Sequence, residues 1–528
     1  MATLLSTDKA LVYAQEAERK RDWATAIDLY KGVLTQFPKN KRALGGLNGL
    51  KPKAVQSLLQ QAKDAQAAHH WGKSQDFLSL AFQLAPELPE IGTALAQLQL
   101  ENGDPASALE TAGAVLASHP NREEAVSIKA IALRDLGRLK QAKDLFETLP
   151  ETADSVTNLA ILARAEGDKA KETHLCAKAI ELAPANPSVH WNYANVQTYK
   201  AGNAHLKQMR RLAQDMDPKD PQSAPLRMAL FKAYDDMDER EEAFSHLQAA
   251  NALTCAATRY DFNKDALRYA LSKNIFANTR LPEPQSQTSG PIFVTGLPRS
   301  GTTLVERILA QDPRAKACGE LSFVERATSR LMQRIIEGEI KRFSDHILQE
   351  LHTEILDGFS CHADKDHRVI DKMPLNFRWI GYICAAIPEA RIIHINRDPM
   401  AVAWSLYRHA FVGLENGFSN AFEDIAKFMV LRRETMGFWK DVCPAHILEI
   451  SYNDLVTNAE TITRQLAEFT GLTWSPDWLH PERSEAAVLT ASADQVRKPI
   501  YTGSDADWRR YAPQLLPLEN MLKSAGLV

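Results

Sequence analysis

The stretch PIFVTGLPRSGTTLVERILA, residues 291–310, decides the fold of the C-terminal half of the chain. Its pattern predicts a buried strand over 292–295, a tight loop over 296–301 and an amphipathic helix from about Thr302. The two glycines of the loop allow backbone N–H groups to turn toward an anion. The helix that follows presents its unpaired N–H groups and its positive dipole end to the same place. The stretch therefore predicts a phosphate-binding strand–loop–helix unit.

The loop nearly matches the ATP-type phosphate loop G-x-x-x-x-G-K-[ST]. Gly296 and Gly301 occupy the two glycine positions and Thr303 the hydroxyl position, but Thr302 stands where the lysine is required. Because that lysine reaches the β- and γ-phosphates, its absence argues against hydrolysis of ATP or GTP. Arg299 lies inside the loop and suits a phosphate that is gripped and not transferred. A nucleotide kinase or NTPase that uses the same loop stays open as an alternative.

Length and composition set the general class of protein. The chain has 528 residues, so at least two domains are expected. A net charge of −4 gives no general attraction to nucleic acid or to an anionic membrane. The six cysteines are scattered without a C-x-x-C pair, which favours reduced thiols. The N-terminal stretch lacks the features of a signal peptide, and no apolar run is long enough for a transmembrane helix. We therefore expect a cytoplasmic protein with neither nucleic acid nor membrane as a partner.

The N-terminal half is a repeat array. Prolines that end helical stretches recur at Pro86, Pro120, Pro150, Pro184 and Pro218, at intervals of 34, 30, 34 and 34 residues. Glycine-containing turns divide several units midway, and small residues follow them. This pattern resembles the tetratricopeptide repeat and predicts about seven units over residues 8–254. We expect the array to bind a polypeptide, either a partner or the polypeptide on which the second domain acts. The alternative is that the array serves only as a scaffold or dimerisation arm.

The motif PRSGTT after an apolar strand resembles the 5′-phosphosulfate loop of sulfotransferases. It is most similar to the loop of the tyrosylprotein sulfotransferases and of their bacterial relatives that carry tetratricopeptide repeats. The resemblance implies 3′-phosphoadenosine 5′-phosphosulfate as the sulfuryl donor and 3′,5′-adenosine bisphosphate as the product, with no metal. It also implies that the loop residues bind the 5′-phosphate: Arg299, Ser300, Gly301, Thr302 and Thr303. Arg299 is in addition a candidate catalytic residue.

A second motif, ARIIHINRDPMAVAWS, covers residues 390–405. An apolar strand ends before Arg397, and a helix is expected to begin near Pro399. The spacing of Arg397 and Ser405 resembles the 3′-phosphate site of sulfotransferases, and an arginine fork binds phosphate oxygens in pairs. In the tyrosylprotein enzymes a further arginine lies four residues past the serine. Here that place is His409, with Arg408 beside it, so which of the two contributes stays open.

Two residues are candidates for the chemistry of transfer. Cys-Gly-Glu ending at Glu320 resembles the Cys-Gly-Glu-Glu run whose second glutamate is the base in tyrosylprotein sulfotransferases, but Leu321 replaces that second acid. Glu320 is therefore expected to be the base, shifted by one residue; the alternative is a loop or capping carboxylate. Lys372 follows a short strand and resembles the lysine that contacts the bridging oxygen of the donor. Its alternative is a surface lysine.

The C-terminal part supplies further candidate donor contacts. Tyr452, in a Tyr-x-x-Leu turn, resembles a tyrosine that contacts the nucleotide, and packing at the sheet edge is its alternative. The segment from Ser492 to Lys498 resembles one that closes over the donor, which implies contacts from Ser492, Gln495 and Lys498. The donor-contacting lysine expected before Trp508 is replaced by Asp507, which is unfavourable beside a phosphate.

The sequence thus predicts an α solenoid followed by an α/β domain with a phosphate-loop-type parallel sheet. The predicted domains are a tetratricopeptide array over 8–254, a docking helix and linker over 255–290, and a sulfotransferase domain over 291–528. The expected reaction transfers a sulfuryl group to an acceptor hydroxyl, with a protein or peptide tyrosine as the first candidate. A glycan or small-molecule acceptor, a non-catalytic repeat adaptor and a homo-oligomer stay open.

Overall fold

The computed structural model describes residues 6–67, 70–284, 290–340, 343–360, 362, 367–411, 415–483, 499–500 and 503–528. Their contacts divide the chain into two compact units, Met1–Pro150 and Glu151–Val528. Within the described ranges, no helix has both the length and the apolarity that crossing a membrane requires.

The first unit consists of four helix pairs. Local signals begin and end these helices: Asp104 accepts a hydrogen bond from Ser107 N at 3.2 Å, and Gly103 takes a left-handed φ of 69° in the preceding turn. Fully buried alanines such as Ala96 and Ala112 allow the helices to pack closely. The pairs are α1 (Thr7–Arg19) with α2 (Trp23–Gln36), α3 (Lys41–Ala67) with α4 (Trp71–Leu84), α5 (Pro89–Glu101) with α6 (Pro105–Ser118), and α7 (Glu123–Asp135) with α8 (Leu139–Phe146).

The second unit begins with three more helix pairs and a further helix. The same turn chemistry recurs, because Gly167 ends one helix at φ 84° and Asp168 caps the next through Lys171 N at 3.0 Å. The helices are α9 (Ala153–Glu166), α10 (Lys169–Leu182), α11 (Pro187–Val196), α12 (Ala204–Asp215), α13 (Ala224–Asp236), α14 (Arg240–Thr258) and α15 (Phe262–Ile275).

The remainder of the second unit is built on a five-stranded parallel sheet. The strands are β1 (Ile292–Gly296), β2 (Ala315–Ala317), β3 (Arg368–Asp371), β4 (Arg391–Asn396) and β5 (Ile447–Ser451), in the spatial order β2-β3-β1-β4-β5. The helices are α16 (Thr302–Leu309), α17 (Phe323–Ile336), α18 (Asp345–Ser360), α19 (Ile380–Ala386), α20 (Pro399–Tyr407), α21 (Phe422–Val442), α22 (Tyr452–Thr457), α23 (Ala459–Thr470) and α24 (Ala512–Ser524).

The strand order places the candidate site. β1 is central and fully buried, which explains its unbroken apolar run. It pairs with β3 on one side and with β4 on the other, so the chain leaves β1 at a topological switch point. In open parallel sheets, ligands bind outside the carboxyl ends of the strands at such a point. The predicted fold class is confirmed, and the loops after β1, β3 and β4 meet at this edge.

One hydrophobic core joins the last repeats of the second unit to the sheet and its helices. It runs from Ala194 on α11 to Leu522 on α24 and includes Leu247 as well as Trp404. The buried amide Nδ2 of Asn251 on α14 donates to Tyr407 O on α20 at 2.8 Å. The domain boundaries predicted from the sequence stay a proposal, but helices α11–α14 share their buried surface with the sheet-bearing part.

Candidate active site

The loop between β1 and α16 has the backbone of an anion cradle. Gly301, the residue before α16, has φ 103°, and Arg299 has φ 71° although it carries a side chain. These conformations turn the loop sharply into the helix N-terminus. Ser300 is buried, and its Oγ has no hydrogen-bond partner among the described residues. A buried hydroxyl without a partner is costly, and an anionic oxygen bound in the loop would satisfy it.

Tyr452 closes the loop from the side of α22. A Cβ built on Gly301 would lie 2.4 Å from Cδ2 of Tyr452, so the ring rests directly against the glycine. The guanidinium of Arg397 stands over the same ring, 4.4 Å from its centroid. The structure therefore brings together Tyr452, Gly301 and Arg397, three of the residues that the sequence analysis named as candidate donor contacts.

Arg299, Ser405 and Arg397 connect the two predicted phosphate sites. Arg299 Nε donates to Ser405 Oγ at 3.3 Å, and Arg397 Nη1 donates to Arg299 O at 2.9 Å. Ser405 lies on α20, whose N-terminus is capped by Asp398 accepting from Ala401 N at 2.7 Å. The loop after β1 thus contacts both the β4–α20 junction, through Arg397, and α20 itself, through Ser405.

Asp505 is a residue of this site that the sequence argument missed. Its Oδ1 accepts a hydrogen bond from Arg397 Nε at 2.6 Å. The carboxylate thus occupies one prong of the arginine fork that was predicted to bind a phosphate. Asp507 raised concern on sequence grounds, but it is largely exposed, and its Oδ2 lies 3.9 Å from Arg408 Nη2. The two acids differ because Asp505 contacts Arg397 directly, whereas Asp507 lines the cavity with a largely exposed side chain near Arg408.

Lys372 and Glu320 are in direct contact. The ammonium of Lys372 is fully buried and donates to Glu320 Oε1, while the Glu320 side chain is 48% exposed. The backbone joins the same segments, because Lys372 N donates to Gly319 O at 2.9 Å. Lys372 and Glu320, the two residues predicted to take part in the chemistry of transfer, therefore form one ion pair at the carboxyl end of β3.

A buried carboxyl supports this pair and was not predicted. Glu306 on α16 accepts a hydrogen bond from Gly319 N at 2.8 Å, which fixes the Cys-Gly-Glu turn beside the phosphate loop. Burial raises the pKa of Glu306, and the Lys372 ammonium opposes that effect. An acidic residue among the apolar positions of the helix was the sequence feature that could have revealed it.

Leu321, which stands where the second glutamate was expected, is buried and is held by Asp371. Leu321 is 4% exposed and belongs to the hydrophobic core, so this position does not face the reaction cavity. Asp371 accepts from Leu321 N at 3.4 Å and from Asn376 Nδ2 at 2.9 Å. Burial raises the pKa of Asp371 well above its usual range, which suits a structural carboxyl that holds the turn.

Two histidines near the site have a lowered pKa. Burial lowers the pKa of His409 to about 3, with the nearby cations Arg299 and Arg408 acting in the same direction. Arg408 and His409 both line the cavity. His394 is fully buried, its Nδ1 is 3.0 Å from Thr295 Oγ1, and burial places its pKa well below its ordinary value. These are the surroundings of a structural histidine within the sheet.

Several of these groups line a cavity of about 790 Å³ within the second unit, whereas the predicted residues Lys372 and Ser300 are buried behind its surface and do not line it. Its lining includes most of the predicted residues, namely Arg299, Gly301, Thr302, Thr303, Glu320, Arg397, Ser405 and Tyr452. Pro499 and Ile500 also line it. The predicted donor contacts Ser492, Gln495 and Lys498 lie outside the described residues.

Comparisons with known proteins agree with this architecture. Residues 291–476 match the sulfotransferase family and residues 99–166 match the tetratricopeptide repeat. The chain therefore combines a tetratricopeptide repeat region with a sulfotransferase-family domain.

Individual relatives are distant. An uncharacterized protein of Aquifex aeolicus (strain VF5) is 28% identical over 418 residues, which are 75% of this chain and 53% of that protein. Protein-tyrosine sulfotransferase A of Caenorhabditis elegans is 25% identical over 260 residues, 45% of this chain and 66% of its own length. Among solved structures, the sulfotransferase domain of the Synechococcus PCC 7002 olefin synthase is 17% identical, with a TM-score of 0.30, covering 44% of this chain and 91% of its own. The chain thus spans about half of the Aquifex protein and just under two thirds of the worm protein.

Proposed function

We propose that this protein is a sulfotransferase that moves the sulfuryl group of 3′-phosphoadenosine 5′-phosphosulfate to an acceptor hydroxyl. The observation that carries the proposal is the meeting, in one cavity, of the phosphate loop, Glu320 with its buried partner Lys372, and the Arg299–Ser405–Arg397 set. A protein that binds ATP would need the phosphate loop but not the Arg299–Ser405–Arg397 set. We assign that set to a second phosphate, which is specific to a donor with a 3′-phosphate.

The residues of the chain fit such a donor. The buried Ser300 Oγ, the N-terminus of α16 and the hydroxyls of Thr302 and Thr303 would hold the 5′-phosphate. Arg397 and Ser405 would hold the 3′-phosphate, with Tyr452 against the nucleotide. Ser492, Gln495 and Lys498 are further proposed contacts from the C-terminal segment.

Transfer breaks the bond between sulfur and the bridging oxygen and forms a bond between sulfur and the acceptor oxygen. Glu320 takes the proton that the acceptor hydroxyl loses. Lys372 stabilises the negative charge left on the bridging oxygen, and Arg299 contributes to the cationic surface of the loop. Because Lys372 is buried in a site of low dielectric constant, its charge interacts more strongly with a developing negative charge than it would in water.

The test is calorimetric titration with 3′,5′-adenosine bisphosphate, the expected product. We expect micromolar binding by the intact protein and its loss in the double variant Arg397→Ala, Ser405→Ala. Arg464→Ala, which removes an exposed arginine of α23 paired with Glu460, serves as the matched control and should bind as the wild type does.

Two outcomes would contradict the proposal. Tighter binding of ATP than of the bisphosphate would indicate a nucleotide kinase or NTPase. No nucleotide binding by the folded protein would indicate a repeat adaptor without transferase activity.

A further inference from the structure

The repeats form part of the reaction cavity. The second unit contains three helix pairs, and the first helix of each pair contributes side chains to the cavity that also contains the phosphate loop. These helices are α9, α11 and α13. These side chains are Arg164, Trp191, Asn192, Asn195, Phe231, Lys232 and Asp235. On α11 and again on α13 the lining residues stand at positions i, i+1 and i+4, so each helix turns one face to the cavity.

This wall is held in place against the transferase elements. Asp235 Oδ1 accepts from Tyr511 OH at 2.8 Å, which ties α13 to the segment that contains Asp505. Lys232 Nζ is fixed by Gln197 O at 3.3 Å and by Asp236 Oδ2 at 2.5 Å. The groove formed by α9, α11 and α13 therefore has a fixed position relative to Ser405 and the phosphate loop.

The charges of the wall are neutralised within the protein. Arg164 Nε lies 2.5 Å from Glu172 Oε1, and Lys232 is paired with Asp236 as described. Asp235 lies 3.2 Å from Arg510 Nη2. This part of the cavity therefore offers no surplus of cations that would select a polyanionic acceptor.

The groups that remain available are amides and aromatic faces. Asn195 is exposed, and its Nδ2 donates to Trp191 O at 2.9 Å, which leaves Oδ1 to accept a hydrogen bond from a ligand. Asn192 is partly exposed one turn earlier and can both donate and accept. Trp191 presents an aromatic surface on the same face.

We propose that α9, α11 and α13 bind the acceptor and that the acceptor is an extended polypeptide. Asn192 and Asn195 contact the backbone of this polypeptide. This inference rests on the proposed transferase function. Three adjacent helices, packed about 8–10 Å apart, span roughly 20 Å. An extended peptide of about six residues covers that length, and its backbone supplies both the N–H and the C=O groups that side-chain amides pair with. A small metabolite would leave most of this wall unused.

The experiment uses the full-length protein saturated with 3′,5′-adenosine bisphosphate. Three pools of fluorescent 15-residue peptides, each with a central Tyr, Ser or Thr and random residues elsewhere, are titrated and followed by anisotropy. We expect at least one pool to bind and the variant Asn192→Ala, Asn195→Ala to bind it about 10- to 30-fold more weakly, as for two lost hydrogen bonds.

The matched control is Asn158→Ala on α9. Asn158 makes the same type of bond as Asn195, from Nδ2 to Asp154 O at 3.0 Å, but it does not line the cavity. It should bind the peptide pool as the wild type does. Calorimetry with the bisphosphate should give equal affinities for all three proteins, which shows that each is folded and that the donor site is intact.

The inference is overturned if no pool binds, if the double variant Asn192→Ala, Asn195→Ala binds as the wild type does, or if neutral oligosaccharides bind and peptides do not. A wild type that does not bind the bisphosphate would instead overturn the transferase proposal. Failure of the acceptor inference and failure of the transferase proposal are therefore distinguishable.

Discussion

At the scale of single residues, the candidate site works through cations placed in different surroundings. Lys372 is fully buried beside Glu320, whereas Arg397 is partly exposed and contacts both Asp505 and the Tyr452 ring. The buried cation suits stabilisation of charge that develops during transfer, because burial strengthens its field. The more exposed cation suits reversible binding of a phosphate, because it can exchange one anionic partner for another.

Replacing Lys372 by methionine should slow sulfuryl transfer by roughly 10²–10³-fold, as for loss of one preorganised donor. Methionine fills a similar volume, so the buried site stays packed. Turnover is measured with labelled donor and the peptide pool that the wild type uses. The exposed Lys316→Met on β2 is the control. A variant that loses affinity for the bisphosphate but turns over normally at saturation would contradict this role.

Asp505→Asn should bind 3′,5′-adenosine bisphosphate more tightly, by about three- to tenfold. The carboxylate accepts from Arg397 Nε at 2.6 Å, so it competes with a phosphate for the same fork and repels it. The gain is modest because Asp505 is partly exposed. Asp507→Asn, in the more exposed acid, should change the affinity less. Weaker binding by Asp505→Asn would indicate that this acid orients Arg397 and does not compete with the ligand.

At the scale of elements, the strand–loop–helix unit depends on close approach between β1, α16 and α22. Gly301 combines a left-handed φ of 103° with the Tyr452 ring against its Cα. Both conditions exclude a side chain, and both come from the sharp path by which the loop enters α16. Tyr452 therefore has a packing role in addition to the donor contact proposed for it.

Gly301→Ala should lower the free energy of unfolding by about 2–4 kcal/mol and abolish detectable binding of the bisphosphate. Gly437 in the interior of α21 is the matched control, because a Cβ there would meet nothing within 4 Å. Gly437→Ala should raise the free energy of unfolding by about 0.5–1 kcal/mol, since alanine favours the helix. Normal binding by Gly301→Ala would show that the loop tolerates a different path.

A hydrogen-bonded chain fixes the junction between α11 and α12. His190 Nε2 donates to Pro184 O at 2.9 Å, His190 Nδ1 accepts from His205 Nε2 at 2.9 Å, and Tyr199 OH donates to His205 Nδ1 at 2.7 Å. Each ring nitrogen has one role, so the chain is complete only when both histidines are neutral. Burial lowers the pKa of His205 from 6.5 to about 4.

This chain predicts a loss of stability in acid. Between pH 6.5 and about 4 the unfolded state binds a proton at His205 that the folded state does not, so the stabilisation falls as the pH falls through this window. The wild type should therefore have a higher Tm than His205→Gln, and the difference in Tm should be larger at pH 7.5 than at pH 5. The exposed His346→Gln is the control. An equal advantage at both pH values would contradict the assignment.

At the scale of the whole molecule, the helices that continue the repeat array also complete the transferase core. Leu226, Phe231 and Leu247 lie in the same buried cluster as Trp404 and Leu515. Arg510 Nη2 on the segment after the sheet lies 3.1 Å from Asp238 Oδ1 in the turn between α13 and α14. Removing these helices would expose much of that core to water.

A chain shortened to residues 151–528 should therefore unfold cooperatively and bind the bisphosphate within about threefold of the full-length affinity. A chain shortened to residues 259–528, which lacks α9–α14, should be insoluble or molten, as judged by near-UV circular dichroism. Native folding of the shorter chain would show that the repeats are dispensable to the core.

The sequence was sufficient for features whose cause is local. A buried strand followed by Gly296 to Gly301 and an amphipathic helix allows few folds, and the proline spacing of about 34 residues reflects the length of one helix pair. Arg397, Pro399 and Ser405 likewise lie within one strand–helix junction. One boundary moved slightly, because the strand expected over 292–295 extends to Gly296.

Tertiary packing alone decided the contacts between distant segments. Asp505 meets Arg397, Glu306 fixes Gly319, and three repeat helices reach the cavity of the phosphate loop. No local pattern encodes these pairs, because each depends on how separate elements pack and on which charges burial forces together. The same reason explains why the motifs predicted a donor site, whereas the surface proposed for the acceptor emerged only from the folded chain.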